Sequence, residues 1–165
     1  FNNAFIEPLA SQRYMDFIGL NYYCREYVKA HKLFGVKCNH NIHEGRQNVL
    51  KWYVDPDAFY SILMSLKRYA LPIIVTENGS AEEENDWHEN FLLTHLSAAA
   101  RALRQGASIQ GYFWWSLIDN YEWHKGFRPR FGLLGVDYNA DCKRAVRPFA
   151  QTYKNICKNN AVEIL

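Results

Sequence analysis

Ile73-Ile74-Val75-Thr76-Glu77-Asn78-Gly79 decides how the rest of the chain is read. Three β-branched apolar residues in succession, entered from Pro72, predict a fully buried strand. The apolar run stops at Thr76, a carboxylate stands next, and Asn78-Gly79 turns the chain away. Glu77 is thereby expected at the C-terminal tip of a buried strand, the end at which parallel α/β sheets and barrels bind ligands. The plainer reading of this run alone is a carboxylate that opens a loop.

Before the strand, Asp55-Pro56 has the form of an N-cap followed by proline at the first helical position. Phe59, Ile62, Leu63 and Leu66 then recur at three and four, predicting an amphipathic helix over 56–70 that Pro72 ends. After it, Ala81-Glu82-Glu83-Glu84-Asn85-Asp86 reads as a solvated acidic loop. Phe91, Leu92, His95, Leu96, Ala99 and Leu103 mark a helix over 87–105, with Gly106 as its cap and His95 as a hydrogen-bonded core histidine.

Two more strands are expected, over 16–23 and 109–117. Between the first of these and the 56–70 helix, residues 24–54 read as a long loop, with a small hairpin around Tyr27-Val28 and Leu33-Phe34. His31, His40 and His43 lack metal-ligand spacing and are read as solvated. Residues 1–14 read as a loop or a short turn. Phe131 to Tyr138 forms a small strand or hairpin, and Arg147-Pro148 opens a last helix over 147–158 with Phe149, Tyr153, Ile156 and Cys157 inward. Strands alternating with helices predict βα units around a parallel sheet. Three such strands do not close a barrel.

Composition narrows the function. The chain has 165 residues, a formal net charge of +2 and no single basic face, which gives no case for nucleic acid. No apolar run approaches the roughly 20 residues of a membrane span. Cys24, Cys38, Cys142 and Cys157 are scattered and read as free thiols of a reducing, cytoplasmic-type compartment. The start at Phe1 rather than Met is read as a fragment or a processed chain. Aromatic residues reach 16%, enough to furnish either a ring-rich core or a site that stacks the flat faces of sugars.

The three expected strand ends carry Asn21 with Tyr23, then Glu77, then Trp115 with Glu122 and Trp123. Carboxylates and amides exchange hydrogen bonds with hydroxyls, and indoles cover the apolar face of a sugar ring. Asp16-Phe17-Ile18-Gly19-Leu20-Asn21-Tyr22-Tyr23, Val75-Thr76-Glu77-Asn78-Gly79 and the run from Gly111 to Trp123 resemble the C-terminal part of family 1 glycoside hydrolases, the β-glucosidases. Gly126-Phe127, Arg130-Phe131-Gly132-Leu133 and Val136-Asp137 extend the likeness.

The resemblance implies that residues 1–165 are a partial barrel domain, about the last three βα units of a (β/α)8 TIM barrel and incomplete alone. It implies a retaining β-glycosidase, with a β-glycoside as substrate, no cofactor and no metal. Glu77 matches the nucleophile and Tyr23 the tyrosine that hydrogen-bonds it. Asn21 lies in the same site. Trp115 matches the platform under the sugar, Glu122 and Trp123 the pair that grips its far hydroxyls, and Phe131 an aromatic lining the pocket. Glu122, Pro129 and Phe131 depart from the phospho-glycosidase pattern and imply a non-phosphorylated sugar. The acid/base glutamate of the family's Asn-Glu-Pro motif has no counterpart; Glu7 of Ile6-Glu7-Pro8 lacks the preceding Asn and stands too close to the 16–23 strand. The partner expected is therefore the N-terminal half of the barrel, in cis or in trans. A non-catalytic sugar-binding relative, an inactive fragment and a generic α/β binding module are the alternatives.

Overall fold

The computed structural model describes residues 4–31, 35–38, 45–83 and 85–162. His40, His43 and the Leu33-Phe34 part of the expected hairpin lie outside them. The elements are α1 (Ile6–Ser11), β1 (Ile18–Tyr22), β2 (Val28–His31), β3 (Gly35–Cys38), α2 (Pro56–Leu66), β4 (Ile73–Asn78), α3 (Asn85–Arg104), β5 (Ile109–Trp114), β6 (Leu134–Asp137), β7 (Lys143–Val146) and α4 (Pro148–Asn159).

The sheet that organises them has the order β1-β4-β5, all parallel, with Ile18 opposite Ile73 and Val75 opposite Tyr112. β2 and β3 pair as an antiparallel hairpin, and so do β6 and β7. The turn read for the first residues is in part a helix, α1. The third strand stops at Trp114, short of Leu117.

Asp55 caps α2 by accepting from the Ala58 amide at 2.8 Å, with Pro56 in the first turn. Phe59, Leu63 and Leu66 are buried against Ile18, Tyr22, Ile73 and Val75. The α-helix ends at Leu66, one 3₁₀ turn follows over Lys67–Tyr69, and Ala70 is left-handed at φ 54°. Termination thus precedes Pro72, because the left-handed residue already breaks the helical path. Ala98, Ala99 and Ala102 of α3 pack into the same core. Its other contacts, Phe91, Leu92 and Leu96, meet Trp114 and Phe149 under α4. Cys157, expected inward, is exposed.

The helices cover one face of the sheet. Gly19, Thr76 and Phe113 lie exposed on the other, with Phe113 at 59% of its full accessibility. A parallel sheet normally has both faces covered.

Asp119 ties the loop after β5 to the rest. Its side chain has no solvent exposure. The Arg147 guanidinium donates to it at 3.0 and 2.8 Å, the amides of Gly132 and Val136 at 2.9 and 3.2 Å, and Arg130 at 3.3 Å. Burial alone would raise the carboxyl's pKa; the Arg147 bonds, the backbone donors and the guanidinium charge outweigh it, and the pKa is lowered. Gly132 is required here, since a Cβ would overlap the Asp119 amide and the Leu134 carbonyl and lie 2.7 Å from the Ile118 carbonyl carbon.

Asp119→Ala should lower unfolding free energy by about 3–5 kcal/mol, because it leaves buried guanidinium and amide donors without their acceptor. Denaturant titration at neutral pH reads this. The lowered pKa fixes the sign with pH. Its stabilisation is present above the unfolded-state value of about 3.9 and is lost as pH falls through the lower native one. Acid should therefore destabilise the parent chain more steeply than Asp119→Asn; equal slopes would refute the assignment.

Candidate active site

Strand parity decides where Glu77 points. From Leu20 to Asn21 in β1 is one residue, while the matching step in β4 is Val75 to Glu77. Tyr112 to Trp114 in β5 likewise matches Val75 to Asn78. The central strand thus carries one extra residue, a bulge at Thr76. Strict alternation would set Glu77 on the helix-facing side with Ile73 and Val75. With the bulge, Asn78 takes that side and is fully buried, while Glu77 turns to the open side, half-buried.

Asn78 anchors the turn. Its amide donates to the Tyr22 carbonyl at 2.7 Å and its oxygen accepts from the Tyr112 phenol at 2.7 Å. Gly79 passes against the Trp115 carbonyl so closely that a Cβ would overlap it, and the Trp115 amide donates to Asn78 at 2.9 Å. The Trp115–Ser116 peptide is cis. Ser116 accepts from the Leu133 amide at 2.9 Å, and the Trp114 indole donates to the Phe131 carbonyl at 2.8 Å, which brings Phe131 to the site.

The Tyr23 phenol donates to Oε2 of Glu77 at 2.5 Å. Burial first, then this bond and the charges of Glu77 and Glu122, push the phenol's pKa far up, so Tyr23 stays a neutral donor. Its ring is flanked edge-on by Trp52 at 5.6 Å and Phe131 at 6.2 Å. Glu122 is half-buried; burial and the charge of Glu77 raise its pKa, and His124 draws it down. Trp115 is half-buried beside Gly79. Trp123, 79% exposed, begins a 3₁₀ turn over Trp123–Lys125.

The structure therefore gathers Glu77 and Phe131 around Tyr23, with Glu122 within electrostatic reach. Asn21 meets Glu77 only indirectly, through the Thr76 hydroxyl, which donates to Asn21 Oδ1 at 2.6 Å. Glu7 lies elsewhere. It pairs with Arg68 at 3.0 Å, in the turn that leads into the opposite, N-terminal end of β4. His95 is buried with Nδ1 2.9 Å from the Phe91 carbonyl, and burial lowers its pKa to about 4.

Sequence reasoning missed two contributors. Trp52, in the segment read as loop, joins the aromatic wall around Tyr23; its place in the apolar run Val49-Leu50-Lys51-Trp52-Tyr53-Val54 was the available signal. Glu82, read as part of a solvated acidic run, is buried at 3% exposure. Arg46 holds it with two bonds of 2.8 and 2.6 Å, and the Ser80 hydroxyl donates at 2.7 Å. Asn48 donates to Ser80 at 3.2 Å and accepts from the Leu50 and Trp52 amides at 2.9 and 3.1 Å. This network fixes the turn that presents Trp52. Arg46→Ala should cost about 3 kcal/mol, the low end for leaving a buried charge unpaired, since Ser80 stays as a donor. Denaturant titration reads that loss, and the near-ultraviolet dichroism of the aromatic wall should weaken with it.

Comparison with known proteins fits this geometry. The family model described as Glycosyl hydrolase family 1 matches residues 5–162. Beta-glucosidase A of Thermotoga maritima is 34% identical over 163 residues, which cover 92% of this chain and 36% of that protein. A beta-galactosidase of Saccharolobus solfataricus is 38% identical, over 90% of this chain and 32% of its own length. Among solved structures, a family 1 β-glucosidase from T. maritima superposes with a TM-score of 0.84 at 33% identity, and a β-glycosidase from Pyrococcus horikoshii with 0.84 at 36%. Each match covers 90% of this chain and 36% of the other. The chain spans about a third of the length of the curated relatives it matches. With a family match over nearly its whole length, the chain belongs to glycosyl hydrolase family 1.

Proposed function

We propose that this chain supplies the nucleophile-bearing part of a retaining β-glycosidase, about the last three βα units of a (β/α)8 barrel. The observation that carries the reading is the Tyr23–Glu77 hydrogen bond at the C-terminal end of a parallel sheet whose inner face is uncovered. The remaining strands, in cis or in trans, would cover that face and bring the acid/base carboxylate.

Glu77 attacks the anomeric carbon and forms a glycosyl ester, which water then hydrolyses. Tyr23 engages Oε2 and orients the carboxylate so that Oε1 attacks. Trp115 underlies the sugar, Glu122 and Trp123 grip its far hydroxyls, and Phe131 and Asn21 close the pocket wall. The substrate is a terminal, non-phosphorylated β-glycoside. Without the acid/base, whose contribution is typically 10²–10⁴-fold, the 165-residue chain alone should show no robust turnover of an aryl β-glucoside. Efficient hydrolysis by the purified chain would refute this.

One observation favours a second reading. The raised pKa of Glu122 is the direction that a general acid needs. The two readings separate in the completed barrel. Glu77→Ala should be rescued by azide to an inverted glycosyl azide from an activated aryl glycoside, because the small anion fills the vacated space. Glu122→Ala should give no such product and should weaken binding of good and poor leaving groups alike. Loss confined to poor leaving groups would make Glu122 the acid instead.

A further inference from the structure

Glu77 and Tyr23 come from different strands, and one side chain ties the residues next to both. Asn78 directly follows Glu77, and its amide donates at 2.7 Å to the carbonyl of Tyr22, which directly precedes Tyr23. Asn78 is fully buried, so both ends of its amide need partners inside the protein. The third strand decides which way the amide faces. The Tyr112 phenol, in β5, donates to Oδ1 at 2.7 Å. Turned round, Oδ1 would meet the Tyr22 carbonyl, two acceptors with no hydrogen between them. One orientation alone lets both ends bond, and it locks the ends of β1, β4 and β5 together at one point.

Tyr112 is built as a fixed donor. Burial first, then the neighbouring Tyr153, hold its pKa well above that of an ordinary phenol, so the proton stays on the oxygen. The backbone behind it is held from α4, where the Tyr153 phenol donates to the Tyr112 carbonyl at 3.1 Å. The Tyr112 ring packs against both buried clusters, so Tyr112→Phe removes the hydroxyl and keeps the packing.

We infer that Tyr112 is a positioning residue: through Asn78, its hydroxyl sets how Glu77 and Tyr23 stand to each other, and with that the angle at which Glu77 meets the anomeric carbon. The kinetic consequence rests on the glycosidase reading; the control of the Tyr23–Glu77 contact does not.

In the completed barrel, 2,4-dinitrophenyl 2-deoxy-2-fluoro-β-D-glucoside isolates the step. A Glu77 oxygen bonds to the anomeric carbon as the bond to the phenolate oxygen breaks, and the phenolate leaves with the electron pair. That leaving group needs no general acid, and the fluorine slows hydrolysis of the glycosyl ester, so the label stays on Glu77. Tyr112→Phe should lower the limiting rate constant of labelling about ten- to a hundredfold and leave the half-saturating concentration within about twofold, because misplacement penalises attack while other groups bind the sugar. A merely structural role would reduce the amount of enzyme labelled and not the rate constant. Tyr153→Phe, which removes a hydroxyl bonded to the Tyr112 carbonyl instead, should label at the parent rate. Labelling of Tyr112→Phe at the parent rate, or equal slowing by Tyr153→Phe, overturns the inference.

A second readout needs no sugar. In the 165-residue chain with carbon-13 at tyrosine Cζ, the Tyr23 signal is the one missing from Tyr23→Phe. In Tyr112→Phe it should move toward its position in Glu77→Ala, and in Tyr153→Phe it should stay. If the parent barrel takes no label on Glu77, the glycosidase reading fails and this signal decides alone: movement supports the role of Tyr112, and a fixed signal overturns it.

Discussion

Between Val75 and Asn78 the central strand carries one residue more than its neighbours, and pleating makes the consequence unavoidable. Side chains alternate along a strand, so one surplus residue exchanges the faces of everything after it. Asn78 goes to the helix side, where the Tyr22 carbonyl and the Tyr112 phenol are waiting. Glu77 goes to the open side, where Tyr23 reaches it. Were the strand regular, the carboxylate would face the buried helix side with Ile73 and Val75, an expensive place for a charge. The side-chain amide of Asn78 is the device that keeps the bulge in place, since both its donor and its acceptor are used.

Two buried carboxylates, Glu82 and Asp119, then hold the loops that surround this strand end. Each is gripped by an arginine fork and by further donors from a hydroxyl or from backbone amides. Such pairs are weak arguments for stability as such, because desolvation consumes much of their attraction. Their value here is directional. A fork fixes angle as well as distance, so Glu82 sets the turn bearing Trp52, and Asp119 sets the run bearing Phe131. The aromatic wall around Tyr23 is assembled from these two loops, each positioned by an ion pair that touches no part of the site.

What was legible in the sequence is what short-range physics writes there. The carboxylate at the end of an apolar run, the aspartate cap before a proline and the core histidine on a helical face all follow from neighbouring residues. The contact of Tyr23 with Glu77 was available only through family likeness, since nothing local links positions 54 residues apart. The bulge was hidden because parity is decided by partner strands. Glu82 was misread because an acidic run looks solvated, and its partner Arg46 stands 36 residues earlier. Cys157 was placed inward by periodicity alone, yet α4 buries Phe149 and only half-buries Tyr153 and Ile156, so its apolar stripe is narrower than the pattern.

The two flanks of β4 also bear on how the molecule forms. On one side the Tyr23–Glu77 bond closes a span of 54 residues; on the other the Tyr112–Asn78 bond closes 34. Closure entropy grows only with the logarithm of length, so the two spans differ by about 0.4 kcal/mol. That is below thermal energy. Chain entropy therefore gives neither neighbour precedence at the central strand. Both pairings bury surface against α2 and α3, so Glu77 meets its hydrogen-bond donor as that core forms.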